Sequence, residues 1–372
     1  MAVLVVAALS FMVWWACGRA SRPPSQPTLR IGAISPFSGD GAPYGKAART
    51  AIDLAVDEIN AEGGVRGAKL MVQYEDDQGS PKDAVSAFQK LATIDKVPAV
   101  IGPFYSGNVL ACAPDANRLH VVLLTGSATS DNVRNAGAYV FRTCPSNDEQ
   151  ARTVADFAFN KLKRRTAFVI YRNVDYGVTL RDAFANAYPA VGGKIVGIEG
   201  VAADSTDLRA QLTKAKAAAP DMIFAAVHYS EGSALLRQVK ELGISSVVVG
   251  TDGGFDPQLL KIAGDAAEGS YWVTIGWGDE LSNPPLAKFK QAYHRRFGED
   301  PGVYSGLYYD AVHVLAKALG STPSLTDGAL KNTLRTTEYI GPTGLTRFDS
   351  HGDVKKPFAV YLVTHGEFVP AK

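Results

Sequence analysis

Short apolar runs alternate with longer amphipathic stretches along most of this chain. The clearest unit spans residues 98–129, where two runs rich in Val, Ile and Leu, 98–101 and 121–124, flank a helical stretch at 108–119. Such short runs, bounded by turn residues, are typical of strands buried on both faces of a parallel sheet. The pattern therefore predicts a βαβ unit, whose crossover is nearly always right-handed.

The same alternation continues on both sides of this unit. A helix at 44–61 has apolar residues at helical spacing, and Ser80 with Pro81 marks another helix start. The other predicted strands are 29–35, 70–74, 139–142, 166–171, 194–200, 221–227, 247–249, 270–275, 346–349 and 357–363. The other predicted helices are 147–162, 176–188, 206–217, 230–242, 285–297, 303–319 and 327–336. Because the alternation restarts after residue 145, we expect an α/β fold with two doubly wound parallel sheets, each covered by helices on both faces.

Hydroxyl-bearing turns follow both strands of the 98–129 unit. Ser106 lies after the first strand, where the helix begins, and Ser127, Ala128 and Thr129 lie after the second. Parallel strands end at the same edge of a sheet, and a helix N-terminus favours anions. The two turns together therefore predict a site for a small carboxylate. Taken singly, each turn has a plainer interpretation, with Ser106 as a helix N-cap and Ser127 and Thr129 as turn formers.

Composition and charge limit the function. The chain has 372 residues, of which 46% are apolar and 20% charged, so it is long enough for two ordinary globular domains. Its formal net charge of +1 gives no basic footprint for nucleic acid. We therefore expect no nucleic-acid partner.

The N-terminal stretch has the pattern of an export segment. Residues 1–16 are apolar but too short for a comfortable membrane span, and a Ser-, Pro- and Arg-rich stretch follows to residue 27. We interpret residues 1–27 as a signal peptide and linker. Cys17 follows Ala16, which allows either acylation of Cys17 as a lipoprotein or simple signal cleavage. No later stretch is apolar enough to cross a bilayer.

The remaining cysteines and the known enzyme motifs give no sign of catalysis. Cys112 and Cys144 allow either a disulfide in an oxidising compartment or two buried thiols, and their spacing supports no metal or redox site. The glycine-containing stretch 39–46 has the wrong spacing for a phosphate loop, and G-x-S-x-G and H-E-x-x-H do not occur. His228, like the other scattered histidines, has no clustered partner. We expect no catalytic residues, no metal and no cofactor.

Six stretches carry a resemblance to a known family: 32–45, 59–70, 74–85, 100–107, 263–269 and 340–344. In this order and spacing, the chain resembles the leucine/isoleucine/valine-binding proteins over residues 29–368. These are type I periplasmic solute-binding proteins of branched-chain amino acid ABC transporters. The resemblance implies two lobes joined by a hinge of three crossings, near Thr143, Ile275 and Phe348. Lobe one would comprise residues 28–143 plus 276–347, and lobe two 144–275 plus 348–372.

The resemblance also implies a ligand site between the lobes. Ser106 and Thr129 stand where hydroxyls hold the carboxylate of the amino acid, with Ser127 and Ala128 in the same turn. Asp252 stands where a glutamate pairs with the ligand ammonium, and is one methylene shorter. The remaining implied ligand contacts are aromatic, namely Tyr44, Phe104, Tyr105, Tyr176 and Tyr229. By itself Asp252 would be a turn aspartate before two glycines. The cysteine pair familiar in the best-known members of the family is replaced here by Gly79 and Tyr105.

These implications give one expected function and one alternative. We expect an extracytoplasmic binding protein, periplasmic or anchored through Cys17, that captures an amino acid by closure of the cleft and delivers it to an ABC permease. A branched-chain amino acid is the leading ligand, and the protein is expected to be a monomer. The alternative is a ligand-sensing receptor or regulator on the same fold, for amides or small carboxylates.

Overall fold

The computed structural model describes residues 26–278, 280–326 and 328–371. The acylation or cleavage predicted at Cys17 lies outside the described residues, as does most of the predicted signal peptide. Five parallel strands form the first sheet: β1 (Thr28–Ser35), β2 (Lys69–Asp76), β3 (Ala99–Ile101), β4 (Val122–Thr125) and β5 (Val140–Arg142). Their order in the sheet is β2-β1-β3-β4-β5.

Three α-helices connect these strands, α1 (Ala42–Ala61), α2 (Pro81–Gln89) and α3 (Ser106–Leu119), and a short 3-10 helix (Asp131–Asn135) links β4 to β5. The predicted start of α2 is confirmed, because the Ser80 side chain accepts a hydrogen bond from the backbone N–H of Asp83. The N-cap interpretation of Ser106 is wrong. Tyr105 occupies the cap position and Ser106 is the first helical residue, so its hydroxyl is available to other partners.

The second sheet begins with five more parallel strands: β6 (Thr166–Arg172), β7 (Lys194–Val201), β8 (Met222–Ala226), β9 (Val247–Gly250) and β10 (Tyr271–Ile275). Their order is β7-β6-β8-β9-β10. The α-helices before and between them are α4 (Asn147–Asp156), α5 (Asp175–Ala190), α6 (Arg209–Ala218), α7 (Tyr229–Glu241) and α8 (Pro257–Ala263).

The two sheets repeat one topology. In each, the first strand lies between the second and the third, so the connections leave it in opposite directions. Ligand crevices of doubly wound sheets form at such a switch point, at the carboxyl ends of the strands. The switch points here lie between β1 and β3 and between β6 and β8.

The C-terminal part of the chain returns to the first sheet and then to the second. Helices α9 (Pro284–Phe297), α10 (Val303–Ser321) and α11 (Ala329–Thr336) follow β10, and both α9 and α10 pack on α1. A two-stranded hairpin comes next, formed by β11 (Tyr339–Gly341) and β12 (Gly344–Thr346). Strands β13 (Phe358–Thr364) and β14 (Glu367–Pro370) then extend the second sheet beside β10.

Several details differ from the sequence predictions. The second sheet is mixed, because β13 runs antiparallel to β10 and to β14. The predicted helix 147–162 is α-helical only to Asp156, after which a π-helical turn spans Phe157–Lys161. The predicted strand 346–349 is wrong, because the hairpin strand ends at Thr346. The sequence analysis did not identify α8, β11 or β14.

The two later cysteines do not form a disulfide in the structure. Cys112 and Cys144 are both free and buried, which corresponds to the other alternative. Within residues 26–278, 280–326 and 328–371, no helix is both long enough and apolar enough to span a membrane. The same residues contain no cluster of three or more His, Cys, Asp or Glu side chains suited to a metal ion.

Candidate functional site

The predicted site residues occupy equivalent places at the carboxyl edges of the two sheets. Tyr44 lies in the first turn of the helix after β1, and Tyr176 lies in the first turn of the helix after β6. Ser106 and Tyr229 are the first residues of the helices after β3 and β8. Thr129 and Asp252 lie on the loops that follow β4 and β9. The matched topology of the sheets therefore supplies each of these three positions twice, once from each sheet.

Hydrogen bonds bring the two carboxyl edges together. The phenol of Tyr44 donates to the carbonyl oxygen of Gly253 at 2.6 Å, and it accepts from the backbone N–H of Tyr229 at 3.3 Å. The phenol of Tyr229 in turn donates to the carbonyl oxygen of Asp40 at 2.6 Å. Residues that follow β1 are thereby joined both to the loop after β9 and to the first residue of α7.

Asp252 is a buried carboxylate that two phenols surround. Its side chain accepts from the Tyr176 hydroxyl at 2.8 Å and from the Tyr304 hydroxyl at 3.3 Å, and the residue is only 2% exposed. Burial raises the pKa of Asp252, and the hydrogen bonds from its neighbours only partly oppose this. Burial also raises the pKa of both tyrosines far above the ordinary value, so they remain hydrogen-bond donors at neutral pH.

No cationic side chain offsets this carboxylate among the ion pairs of the described residues. A buried charge without a partner is costly, because it has lost its hydration without gaining a counter-charge. Asp252 is therefore suited to receive a cation from outside the chain.

The turn after β4 presents one free hydroxyl. Thr129 is fully buried, and its Oγ1 has no hydrogen-bond partner. The hydroxyl of Ser106 accepts from the backbone N–H of Ser130 at 3.3 Å. The hydroxyl of Ser127 is used internally, since it donates to the carbonyl oxygen of Phe104 at 2.8 Å. Ala128 is buried in the same turn.

Gln150 adds a polar side chain that the sequence analysis did not identify. It is fully buried, and neither atom of its amide group makes a hydrogen bond of good geometry. It nevertheless lies beside Asp252, whose pKa it lowers. The backbone N–H of Asn147, one turn earlier on α4, donates to the carbonyl oxygen of Thr129 at 2.8 Å. The start of α4 is therefore anchored to the turn that carries the free hydroxyl of Thr129.

Aromatic rings form the wall beside these polar groups. Phe104 stacks on Tyr44 with a centroid distance of 4.7 Å and meets Tyr304 edge to face at 4.9 Å. Tyr105 stacks on His228 at 5.3 Å. Burial, with the nearby charge of Arg172, lowers the pKa of His228 well below its ordinary value. The wall is therefore aromatic and uncharged at neutral pH.

The structure thus brings together most of the predicted residues and adds three, namely Gln150, His228 and Tyr304. Gln150 lies near the beginning of α4, the first helix after the chain passes to the second sheet, and Tyr304 lies near the beginning of α10, the second helix after the chain returns. A polar residue just after such a passage is a signal that could have indicated Gln150, whereas no local signal indicates Tyr304. His228 precedes α7 directly, and its place after a predicted strand was the available signal.

Comparisons with known proteins agree with this geometry. A family model described as periplasmic binding protein matches residues 28–367. The leucine-, isoleucine-, valine-, threonine- and alanine-binding protein of Pseudomonas aeruginosa is 28% identical over 346 residues, which cover 92% of each chain.

Two solved structures show the same fold. The branched-chain amino acid transporter substrate binding protein of Streptococcus pneumoniae, in complex with isoleucine, superposes with a TM-score of 0.86 at 29% identity, covering 92% of this chain and 99% of that one. A solute binding protein of an ABC transporter from Rhodopseudomonas palustris, in complex with 3,4-dihydroxybenzoic acid, gives a TM-score of 0.82 at 26% identity, covering 92% and 96%. With its two sheets of matched topology and the family match over residues 28–367, this chain belongs to the periplasmic binding protein family.

Proposed function

We propose that this protein is the substrate-binding component of an ABC transporter and captures an α-amino acid with an aliphatic, branched side chain. The observation that carries this proposal is Asp252, a buried carboxylate with two phenol donors and no cationic side chain among its described neighbours. The α-ammonium group of an amino acid supplies the missing positive charge. The isoleucine bound to the Streptococcus pneumoniae relative supports the choice of ligand.

The opposite end of the ligand is assigned to the turns after β3 and β4. A carboxylate buried with the ligand needs hydrogen-bond donors. Thr129 has a free hydroxyl, and Ser106 has a hydroxyl that is engaged only as an acceptor, so both can donate. The amide of Gln150 can donate through nitrogen and accept through oxygen, so we assign it to the polar end of the ligand beside Asp252. Tyr44, Phe104, Tyr105, Tyr176 and Tyr229 enclose the ligand.

Binding is proposed to close two lobes, made of residues 28–143 with 276–347 and residues 144–275 with 348–372. The crossings near Thr143, Ile275 and Phe348 would form the hinge. The bonds from Tyr44 to Gly253 and from Tyr229 to Asp40 join the lobes in the closed arrangement. A ligand that contacts both lobes binds best to that arrangement and shifts the population towards it.

An aromatic carboxylate is the second candidate. The ring-lined wall favours it, and the Rhodopseudomonas palustris relative is bound to 3,4-dihydroxybenzoic acid. Such a ligand has no ammonium group, so it would bring a second negative charge towards a buried carboxylate. Asp252 would have to take up a proton before an aromatic acid could bind, whereas an amino acid binds the ionised form.

Membership of the periplasmic binding protein family implies a location outside the cytoplasm. We propose export through residues 1–27 and delivery of the ligand to a membrane permease. Labelling with radioactive palmitate in a bacterial host distinguishes acylation at Cys17 from simple cleavage, since a Cys17→Ser variant abolishes the label only if Cys17 is acylated. Copurification of the protein with an ABC permease from its native host tests the transporter assignment against a sensor partner.

Calorimetric titration tests the ligand assignment. The protein is unfolded and refolded to remove any carried ligand, then titrated with L-leucine, L-isoleucine, L-valine and benzoate. We expect binding of one or more of the three amino acids and loss of that binding in the variant Asp252→Asn. Binding of benzoate alone, unaffected by Asp252→Asn, would refute the assignment.

A further inference from the structure

Arg142 is a buried guanidinium with partners in two distant parts of the chain. It is the last residue of β5, and its side chain is 1% exposed. Its Nε and Nη2 donate to the two carboxylate oxygens of Asp353 at 2.7 and 2.9 Å. Its Nη1 donates to the carbonyl oxygens of Ala128 and Ser130 at 3.2 and 2.8 Å.

The two carbonyl groups lie on either side of Thr129. That residue has the free hydroxyl assigned to the ligand, and its own carbonyl accepts from the N–H of Asn147. With the backbone fixed before and after Thr129, the peptide groups around it have little freedom to rotate. Arg142 therefore holds the Thr129 hydroxyl in place without being among the residues assigned to the ligand.

Asp353 belongs to the passage that leads from the hairpin back to β13. The backbone N–H of Arg142 also donates to the carbonyl oxygen of Gly352 at 3.0 Å in that passage. Arg142 itself lies where the chain leaves the first sheet for α4. One guanidinium thus connects two of the three passages between the sheets with the turn that carries Thr129.

We propose that the Arg142–Asp353 pair is a positioning device that couples the ligand-binding turn at residues 127–130 to the hinge. The inference rests on the proposed function, because it assigns that turn to ligand binding. A planar, bidentate ion pair suits this task, since it fixes both the distance and the orientation of the groups that it joins. Movement of the passage at Asp353 during opening displaces the guanidinium, and with it the two carbonyl groups beside Thr129.

The test uses the full chain, two single variants and a matched control. Asp353→Asn keeps the shape of the side chain but removes its charge. Arg142→Lys keeps the charge but removes the planar guanidinium that forms the bidentate contact. The control is Arg134→Gln, because Arg134 also contacts Asp353, at 2.8 Å, but is 43% exposed and makes no hydrogen bond to residues 127–130. Because Arg134 itself is exposed, its ion pair contributes little, and this control should change exchange and affinity far less than the two test variants.

The first measurement is hydrogen–deuterium exchange on ligand-free protein. The probes are the amides of Ser130 and Asn147, whose bonds hold the turn. We expect about tenfold faster exchange at both in Asp353→Asn and Arg142→Lys, and unchanged exchange in Arg134→Gln. Unchanged exchange in the two folded single variants would overturn the proposal.

The second measurement is the Kd for L-leucine by calorimetry. We expect both single variants to raise Kd about tenfold or more, consistent with the loss of a charge-assisted hydrogen bond. If the wild type binds none of L-leucine, L-isoleucine and L-valine, the proposed function fails while the exchange experiment still tests the positioning role.

A double variant separates positioning from general stability. Arg142→Met with Asp353→Leu removes both buried charges together, which often leaves a fold as stable as before. If the Arg142–Asp353 pair only stabilises the fold, this variant should recover slow exchange and normal affinity. If the pair positions the turn, exchange at Ser130 should stay fast, because the carbonyl groups beside Thr129 still lack their donor.

Discussion

Tyr44 donates a 2.6 Å hydrogen bond to the carbonyl oxygen of Gly253, a residue 209 positions further along the chain. The bond joins α1, the helix that follows β1 of the first sheet, to the loop after β9 of the second sheet, which carries Asp252. The same phenol oxygen accepts from the N–H of Tyr229, so one side chain fixes two loops across the cleft. These two bonds break when the sheets separate, and they therefore favour the closed arrangement.

Replacement of Tyr44 by phenylalanine should weaken ligand binding by favouring the open arrangement. The ring remains to stack on Phe104, while the two bonds across the cleft are lost. We expect Kd for L-leucine to rise about threefold to tenfold, as for one or two neutral hydrogen bonds. Small-angle X-ray scattering should show a larger radius of gyration in the ligand-free variant.

A second tyrosine provides the matched control for this experiment. Tyr188 is fully buried, but its hydroxyl has no hydrogen-bond partner. Tyr188→Phe should therefore leave both affinity and radius of gyration unchanged. Equal effects of Tyr44→Phe and Tyr188→Phe would show that the bonds across the cleft do not govern closure.

Asp252 should limit the stability of the ligand-free protein. Because burial raises its pKa in the folded state, ionisation of Asp252 opposes folding. This penalty is absent at acid pH, where both states carry the proton. It grows as the pH rises above the ordinary aspartate pKa of about 3.9, up to the raised pKa of the folded state. At neutral pH, Asp252→Asn should raise the ligand-free Tm by about 2 °C or more while it raises Kd for L-leucine about 100-fold.

A substitution at an exposed aspartate serves as the control for the change in net charge. Asp265 lies in the same part of the chain and pairs with Lys240, but its side chain is 86% exposed. Asp265→Asn alters the net charge equally and should change neither Tm nor Kd appreciably. A fall in Tm with Asp252→Asn would mean that the carboxylate already has a stabilising partner.

Ligand binding should release protons at pH values near and below the raised pKa of Asp252. The ligand ammonium lowers the pKa of Asp252 from its raised ligand-free position, because an opposite charge favours ionisation. Affinity for L-leucine should therefore increase with pH through the ligand-free pKa, and calorimetry in buffers of different ionisation enthalpy should detect proton release. The dependence should disappear in Asp252→Asn. If the protein instead binds benzoate, and its affinity for benzoate increases on acidification, the ligand is an aromatic carboxylate bound to protonated Asp252.

Gln150 should contribute to affinity at the expense of stability. Its buried amide makes no hydrogen bond of good geometry, although it lies beside Asp252, so an apolar side chain of similar size should be tolerated at this position. Gln150→Leu should raise Kd for L-leucine about tenfold and leave Tm equal or higher. Gln211→Leu is the control, because Gln211 lies on α6 and bonds to Gly200 at 3.3 Å. Unchanged affinity in Gln150→Leu would exclude a ligand contact.

Much of this site follows from local sequence patterns. Apolar runs and turn residues are local signals, and they are sufficient to predict the βαβ unit that positions Ser106 and Thr129. Parallel strands then bring such turns to one edge of a sheet. The resemblance to a known family added Asp252 and the tyrosines, whose place in the cleft depends on the approach of the two sheets.

The missed features depend on distant parts of the chain. Tyr304 reaches Asp252 only because α10 returns to pack on α1 after the second passage. The antiparallel direction of β13 depends on a third passage that ends beside β10, and no local pattern specifies strand direction. The Arg142–Asp353 pair spans 211 positions, so neither residue could be matched to the other from sequence spacing alone.

The two buried cysteines should be inert in the native protein. Burial raises the pKa of both Cys112 and Cys144 to about 12, so almost no thiolate forms at neutral pH. Under native conditions, a thiol reagent should label neither residue, while both should react after unfolding in guanidinium. Cys112→Ser and Cys144→Ser identify each signal by mass spectrometry. Failure of both thiols to react in unfolded, unreduced protein would show instead that they form a disulfide.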